Sequence, residues 1–220
     1  MAHNYVTKKY NLSTTSATTL YTVPDEKTAF LNSFRYSETS NNATTLTITI
    51  TDSSANVFSV ITAATISALV ETDIFARNLI LNEGDIIKAT AGDSNRLTLH
   101  LSILERDQGV NNKFIAKRND YTTTDTVTVY TVPTAKKAIV SSVLIHNDDT
   151  SNASGTTYVK FNDSSDTAFI YLGGTVAAGL AAEFCARPQV MDESEYITFH
   201  PGSANDLHSH FSILEIGNPG

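Results

Sequence analysis

Tryptophan is absent from this chain and cysteine occurs once, at Cys185. A single cysteine leaves no internal disulfide, and intracellular synthesis is the simplest expectation. Sugar-binding platforms are best built from Trp. Without it, carbohydrate binding would fall to Tyr10, Tyr36, Tyr121, Tyr158 or Tyr171, most of which core or strand-edge packing explains. No apolar run reaches about 18 residues, so no membrane span is expected, and Met1-Ala2-His3-Asn4-Tyr5 lacks the apolar core of a signal peptide. Lys and Arg total 15 against 23 Asp and Glu, net charge −8, with no basic block. A phosphate-binding surface needs clustered positive charge, so nucleic acid is not an expected partner. Neither a Gly-rich phosphate loop nor a Gly-x-Ser-x-Gly elbow is present.

What the chain does have is a repeat. Tyr21-Thr22-Val23-Pro24 returns as Tyr130-Thr131-Val132-Pro133, 109 positions on, each with a lysine three places after the proline, Lys27 and Lys136. Tyr5-Val6-Thr7-Lys8-Lys9 matches Phe114-Ile115-Ala116-Lys117-Arg118 at the same offset, and Ser102-Ile103-Leu104-Glu105 returns as Ser212-Ile213-Leu214-Glu215. The 220 residues therefore divide into two domains, 1–108 and 109–220, each long enough for its own core. The second copy gains two residues in a polar turn, Thr150-Ser151-Asn152 against Thr39-Ser40-Asn41. A loop is where length can change without disturbing a core.

The residues between these landmarks alternate. In Thr45-Leu46-Thr47-Ile48-Thr49-Ile50-Thr51 the aliphatics point in and the threonines out. Leu97, Leu99, Leu101 and Ile103 form an inward face, as do Leu207, Phe211 and Ile213. Period two also puts Phe30, Phe34 and Tyr36 on one core face, and Ile139, Val143 and Ile145 on its copy. Ile74, Ala76 and Ile80 are expected inward, with Phe184, Ala186 and Val190 in the copy. Pro188 in that run places its strand at a sheet edge. The Ala-, Gly- and Thr-rich stretches 60–70 and 170–180 read as strand or loop, because β-branched residues and Gly173-Gly174 interrupt any helical stripe. About eight strands per repeat are expected. The fold class is all-β: two tandem antiparallel β-sandwiches, jelly-roll-like or immunoglobulin-like, from an internal duplication.

Candidate chemistry is sparse. His208 and His210 share a strand face and His200 precedes the adjoining turn, so the trio could hold a metal if folded together. Yet His210 aligns with His100, and Thr98 and Thr90 stand at the other two positions. An exposed strand face carrying polar side chains is the favoured reading. Cys185 lacks a nucleophile motif and reads as a structural thiol. Asp148 and Asp149 beside Asn147 could offer oxygens to calcium, but with no recognisable loop spacing they read as solvated turn acids. Asp52-Ser53-Ser54 and Asp163-Ser164-Ser165 read as turn chemistry. No catalytic, cofactor-binding or metal residue is assigned, and no enzyme activity is expected.

The phrase Tyr-Thr-Val-Pro, two residues, Lys, then an apolar strand, reaching Asn147 in the second copy, resembles small β-sandwich structural proteins of tailed-bacteriophage virions. In that family a Gly-Asp turn follows late in the domain. Gly84-Asp85 fits it; Ser194-Glu195 departs from it, and Glu38 stands where the second copy has Asn147. The resemblance implies a non-enzymatic virion component, of capsid-decoration or neck/tail accessory type. Its partners would be other virion proteins and further copies of itself, a trimer presenting six similar domains. A glycan- or receptor-binding tail module is the alternative.

Overall fold

A computed structural model describes residues 3–108 and 112–217. The chain packs into two compact units, Met1–Gln108 and Gly109–Gly220. Unit 1 contains β1 (His3–Asn11), β2 (Thr18–Thr22), β3 (Lys27–Glu38), β4 (Thr44–Thr51), β5 (Val57–Ile66), β6 (Glu71–Asp73), β7 (Leu79–Leu81), β8 (Ile86–Ala91) and β9 (Leu97–Asp107). Unit 2 contains β10 (Asn112–Tyr121), β11 (Val127–Thr131), β12 (Lys136–Asn147), β13 (Thr157–Asn162), β14 (Ala168–Gly174), β15 (Ala181–Glu183), β16 (Gln189–Met191), β17 (Tyr196–His200) and β18 (Leu207–Gly217). No helix occurs among the described residues.

In unit 1 the strands run β1-β9-β3-β6, with β7 also on β3, and β2-β8-β4-β5. Unit 2 has the same order, β10-β18-β12-β15, with β16 on β12, and β11-β17-β13-β14. All pairings are antiparallel. Two four-membered sheets connected in this alternating order are a jelly roll, not an immunoglobulin sandwich. The short pairs β6/β7 and β15/β16 each stand in for one strand, which accounts for nine segments per unit where about eight are expected from turn spacing.

The cores follow the alternation. Leu46, Ile48 and Ile50 of β4 and Leu97, Leu99, Leu101 and Ile103 of β9 are buried, while Thr45, Thr47, Thr49 and Thr51 are partly exposed. In unit 2 both sheets feed one cluster, with Val140, Val143, Phe211 and Ile213 from one and Val159, Phe161, Ile197 and Phe199 from the other. Fully burying such side chains contributes about 1.5–3 kcal/mol each relative to exposure.

Two facing expectations need correction. In β3 the buried apolar residues are Ala29 and Leu31, then Phe34; Phe30 is only partly buried, as is Tyr36. A bulge between Leu31 and Ser33 inserts Asn32 and shifts the alternation by one. The same bulge between Val140 and Ser142 puts Ala138 and Val140 inside in place of Ile139. One extra residue reverses the face of everything beyond it. The second correction concerns 74–80 and 184–190. Ala76, Ala186 and Val190 are exposed, Val190 at 62%. The ladder breaks between β15 and β16, so period two does not carry through. Pro188 lies just outside β16, which pairs with β12 alone.

The repeated phrases fold alike. Lys27 donates its N–H to the Pro24 carbonyl with Glu26 at φ 60°, and Lys136 donates to Pro133 with Ala135 at φ 57°. Val23 N–H reaches the Asp85 carbonyl, and the Gly84 N–H returns to Val23. Val132 and Glu195, then Ser194 and Val132, make the same exchange. The departure from Gly-Asp therefore changes the residues but not the turn: Ser194 takes φ 67° where Gly84 has 77°.

Candidate functional site

The outer faces of the two units differ where the cores agree. On β17, β13 and β14, His200 pairs with Tyr158, and Lys160 with Tyr171. At the corresponding places unit 1 has Thr90, Thr47 and Thr49. Tyr158 and Tyr171 lie 4.9 Å apart between centroids with their planes tilted at 43°, His200 stacks on Tyr158 at 5.7 Å, and the Lys160 ammonium sits 5.4 Å over the Tyr171 ring. Gly173 makes this possible, since a Cβ there would come within 2.9 Å of the Tyr158 ring. Tyr171 is 55% exposed. This row is an aromatic surface that can accept a flat apolar face.

The other sheet carries a polar row. Asp120 on β10, His208 on β18 and His146 on β12 are direct cross-strand partners. Such neighbours stand about 4.5–5.5 Å apart at Cβ, so their side chains meet. The two imidazoles lie 5.8 Å apart at 34°. Asp148 follows β12, its backbone held by a 2.6 Å bond to the Asp206 carbonyl. Its carboxylate comes 3.4 Å from His208 Nε2 and 4.0 Å from His146 Nδ1. His208 Nδ1 is 3.6 Å from the Asp120 carboxylate. One donor atom each from His146, Asp148 and His208 fall within 4.8 Å of one another.

The electrostatics of this cluster follow from burial. His146 is 2% exposed and neither ring nitrogen has a partner in hydrogen-bonding geometry. Burial pushes the ring down to about 4; the Asp148 carboxylate opposes the shift, His208 adds to it and the Gly179 backbone weakly opposes it. The imidazole is therefore neutral at pH 7 with a lone pair to offer.

The structure separates the histidine trio expected from sequence. His200 lies on the other sheet, bonded to the Thr126 hydroxyl at 3.2 Å. His210 Nδ1 accepts from Arg118 Nε at 3.1 Å. His208 alone joins a cluster, with His146 and Asp148. Nor is that strand face exposed: His208 and His210 are 8% and 5% exposed, and Ser212 between β10 and β12 is fully buried. Strand alternation identifies a shared face but not what covers it.

The turn acids behave as their type predicts. Asp149 accepts from Ser151 and Asn152 N–H and from the Asn152 amide; Asp52 and Asp163 close their turns in the same way. Cys185 is buried, its thiol 2.9 Å from the Arg187 carbonyl, an environment for a structural thiol. In unit 1 a groove of about 420 Å³ lies along Lys9, Arg35, Tyr36, Glu71 and His100, with Arg35 and Glu71 paired at 2.8 Å.

His146 escapes a sequence reading because it is 62 positions from His208. One signal was present: at the positions of His146, Asp148 and His208 the first repeat carries Ser37, Thr39 and Thr98. Metal-ligand types thus replace hydroxyls at three matched places.

No family model and no curated protein matches this chain. Among solved structures, a protein of Bacillus endospore appendages, which form disulfide-linked pili, is 14% identical over 51% of this chain and 94% of its own, TM-score 0.34. A Sulfolobus turreted icosahedral virus protein is 12% identical over the whole of this chain, which spans 58% of its length, TM-score 0.31. The major capsid protein P2 of bacteriophage PM2 is 9% identical, covering 98% of this chain and 97% of its own, TM-score 0.31. At these scores no likeness bears on what the chain does, and the jelly-roll assignment stands on its own strand order.

Proposed function

We propose that this chain is a non-enzymatic structural protein of a tailed-phage virion, assembled as a capsid decoration protein or a neck or tail accessory component. The observation that carries the reading is the repeated Tyr-Thr-Val-Pro corner. The phrase that resembles phage virion proteins forms the same hydrogen-bonded turn in both units, and Ser194-Glu195 preserves it where the residues depart from the pattern. Two units of one strand order also repeat an architecture within a single chain, with different residues on its outer faces. Three chains around a threefold axis would place six similar units in a ring, which needs head-to-tail contacts that close. The outer strands β1, β5, β10 and β14 supply edges that can pack in such contacts. The expected setting is the virion, with synthesis in the host cytoplasm.

A mass-spectrometric inventory of purified particles, joined to a particle map, tests the role. A fixed copy number at one site on capsid, neck or tail supports it; absence from intact particles overturns it. Light scattering tests the ring, which a concentration-independent monomer together with isolated monomers in the map would rule out.

The Tyr158–Tyr171 row favours one second reading, a glycan-binding module of a phage tail. A glycan array separates the two: binding lost in Tyr171→Ala supports the module, and no binding leaves assembly alone.

A further inference from the structure

We propose that His146, Asp148 and His208 of unit 2 form a binding site for one divalent transition-metal ion of the zinc type. This goes beyond a virion role and departs from the sequence-based expectation of no metal ligand. Its donors are two imidazoles and one carboxylate, with ligand atoms already within 4.8 Å of one another. Tetrahedral bonds of about 2.0–2.2 Å bring ligand atoms to roughly 3.4 Å apart. Asp148, at 37% side-chain exposure, has room to close the difference by rotation and gives an ion a way in from solvent.

The second observation is His146 itself. A buried polar group without a well-formed hydrogen bond is costly, and here neither nitrogen of a 2%-exposed ring meets a partner in full hydrogen-bonding geometry: Asp148 stands 4.0 Å from Nδ1 and the Gly179 backbone interacts with the ring weakly. An ion at the cluster gives one of them a partner. Asp120 supports the arrangement from behind: its carboxylate lies 3.6 Å from His208 Nδ1, while Nε2 faces Asp148. At that distance Nδ1 has no hydrogen bond, whereas Nε2 is bonded to the Asp148 carboxylate at 3.4 Å. An ion would take the place of the proton between Nε2 and Asp148. A small closure of Asp120 onto a protonated Nδ1 would then give the outer-shell pattern that orients metal-bound histidines. Asp148 is placed by its own 2.6 Å backbone bond and by the turn that Asp149 caps.

Two nitrogens and one carboxylate suit zinc, cobalt or nickel; calcium and magnesium prefer all-oxygen shells. Three protein ligands leave a fourth position to water. The ion would fasten the turn after β12 to β18. Unit 1 is the internal control, since Ser37, Thr39 and Thr98 stand at the matching places and cannot form such a site.

The test uses the full chain, dialysed against a chelator and titrated with zinc chloride by calorimetry, with melting followed in parallel. One ion per chain, a rise in Tm on adding zinc and no comparable rise with millimolar calcium are expected. Asp148→Asn and His208→Gln should each weaken zinc binding at least tenfold while melting cooperatively without metal; Asp120→Asn should weaken it by about tenfold through orientation alone. Cobalt should give visible d–d absorption that Asp148→Asn abolishes. Binding of well under one ion per chain would overturn the site. So would affinity unchanged in folded Asp148→Asn and His208→Gln, which would place any zinc elsewhere. An equal response to calcium would overturn the assignment to a transition metal.

Discussion

Tyr21 donates its phenol to Glu105 at 2.9 Å, joining β2 of one sheet to β9 of the other inside unit 1. The tyrosine belongs to the Tyr-Thr-Val-Pro phrase and the glutamate to Ser-Ile-Leu-Glu, so the two most recognisable repeats are partners. Tyr130 and Glu215 repeat the contact at 3.2 Å between β11 and β18. Burial first, then the carboxylate, raises the Tyr21 phenol well above its ordinary range, and Tyr130 likewise. Both remain donors at any ordinary pH. Glu105 is 7% exposed and keeps Asn4 as a further donor at 2.8 Å. Tyr21→Phe should therefore cost about 1.5–3 kcal/mol, the range for bonds to charged groups. Tyr130→Phe should cost less, because its bond is longer and Glu215 is only partly buried. Urea titration of both variants checks the order, and equal losses would contradict it.

Acid should act on unit 1 through Glu38. This carboxylate is 1% exposed and ends β3. Burial alone would raise it from 4.5; the Ser40 hydroxyl and the N–H groups of Leu69, Ser40 and Asn41 outweigh that and hold it at about 2. A carboxyl whose folded value is depressed contributes stability above its unfolded value and loses it as pH falls towards the folded one. The window here runs from pH 4.5 down to 2. Wild type should lose more denaturation midpoint across it than Glu38→Gln. Asp149 and Asp163, also held low by hydrogen bonds to their turns, titrate in both proteins and cancel in the comparison. Parallel curves would rule the mechanism out.

Side-chain facing on β4 and β9 has a direct test. Leu46→Ala, Ile48→Ala, Leu99→Ala and Leu101→Ala should each cost about 2–5 kcal/mol, as buried truncations do. Thr49→Ala should cost well under half as much. Thr47 is a less clean control, because its hydroxyl accepts the Ala63 N–H at 2.9 Å. Equal losses at Thr49 and Ile48 would show that the faces are wrong.

Gly84 and Ser194 make a reciprocal pair. Both stand at positive φ, and a Cβ on Gly84 would meet Ser53 Cβ at 3.3 Å. Gly84→Ala should destabilise by about 1–2 kcal/mol, the cost of a left-handed L-residue. Ser194→Gly relieves that cost but gives the unfolded chain more freedom, worth about 0.5–1 kcal/mol. Its net effect should lie between zero and about 1.5 kcal/mol of stabilisation. Calorimetric melting of the two variants in opposite directions is the expected result.

The sequence alone determined the all-β class, the corner phrases and the inward sets on β4, β9 and β18. Those properties are local: period-two alternation and turn residues act over a few neighbours, and repetition made each of them visible twice. Tertiary structure decided the rest. Jelly-roll order is a choice of non-local partners, and alternation carries no information about which strand lies beside which. The bulges at Asn32 and Ser141 arise from pairing with β9 and β18, so Phe30 and Ile139 could not be placed from their own neighbours. The His146–Asp148–His208 cluster depends on β12 and β18 being adjacent and in a register that sets His146 opposite His208. A one-residue slip would turn His208 to the opposite face. Register, fixed by the whole sandwich, is what brings those three side chains together.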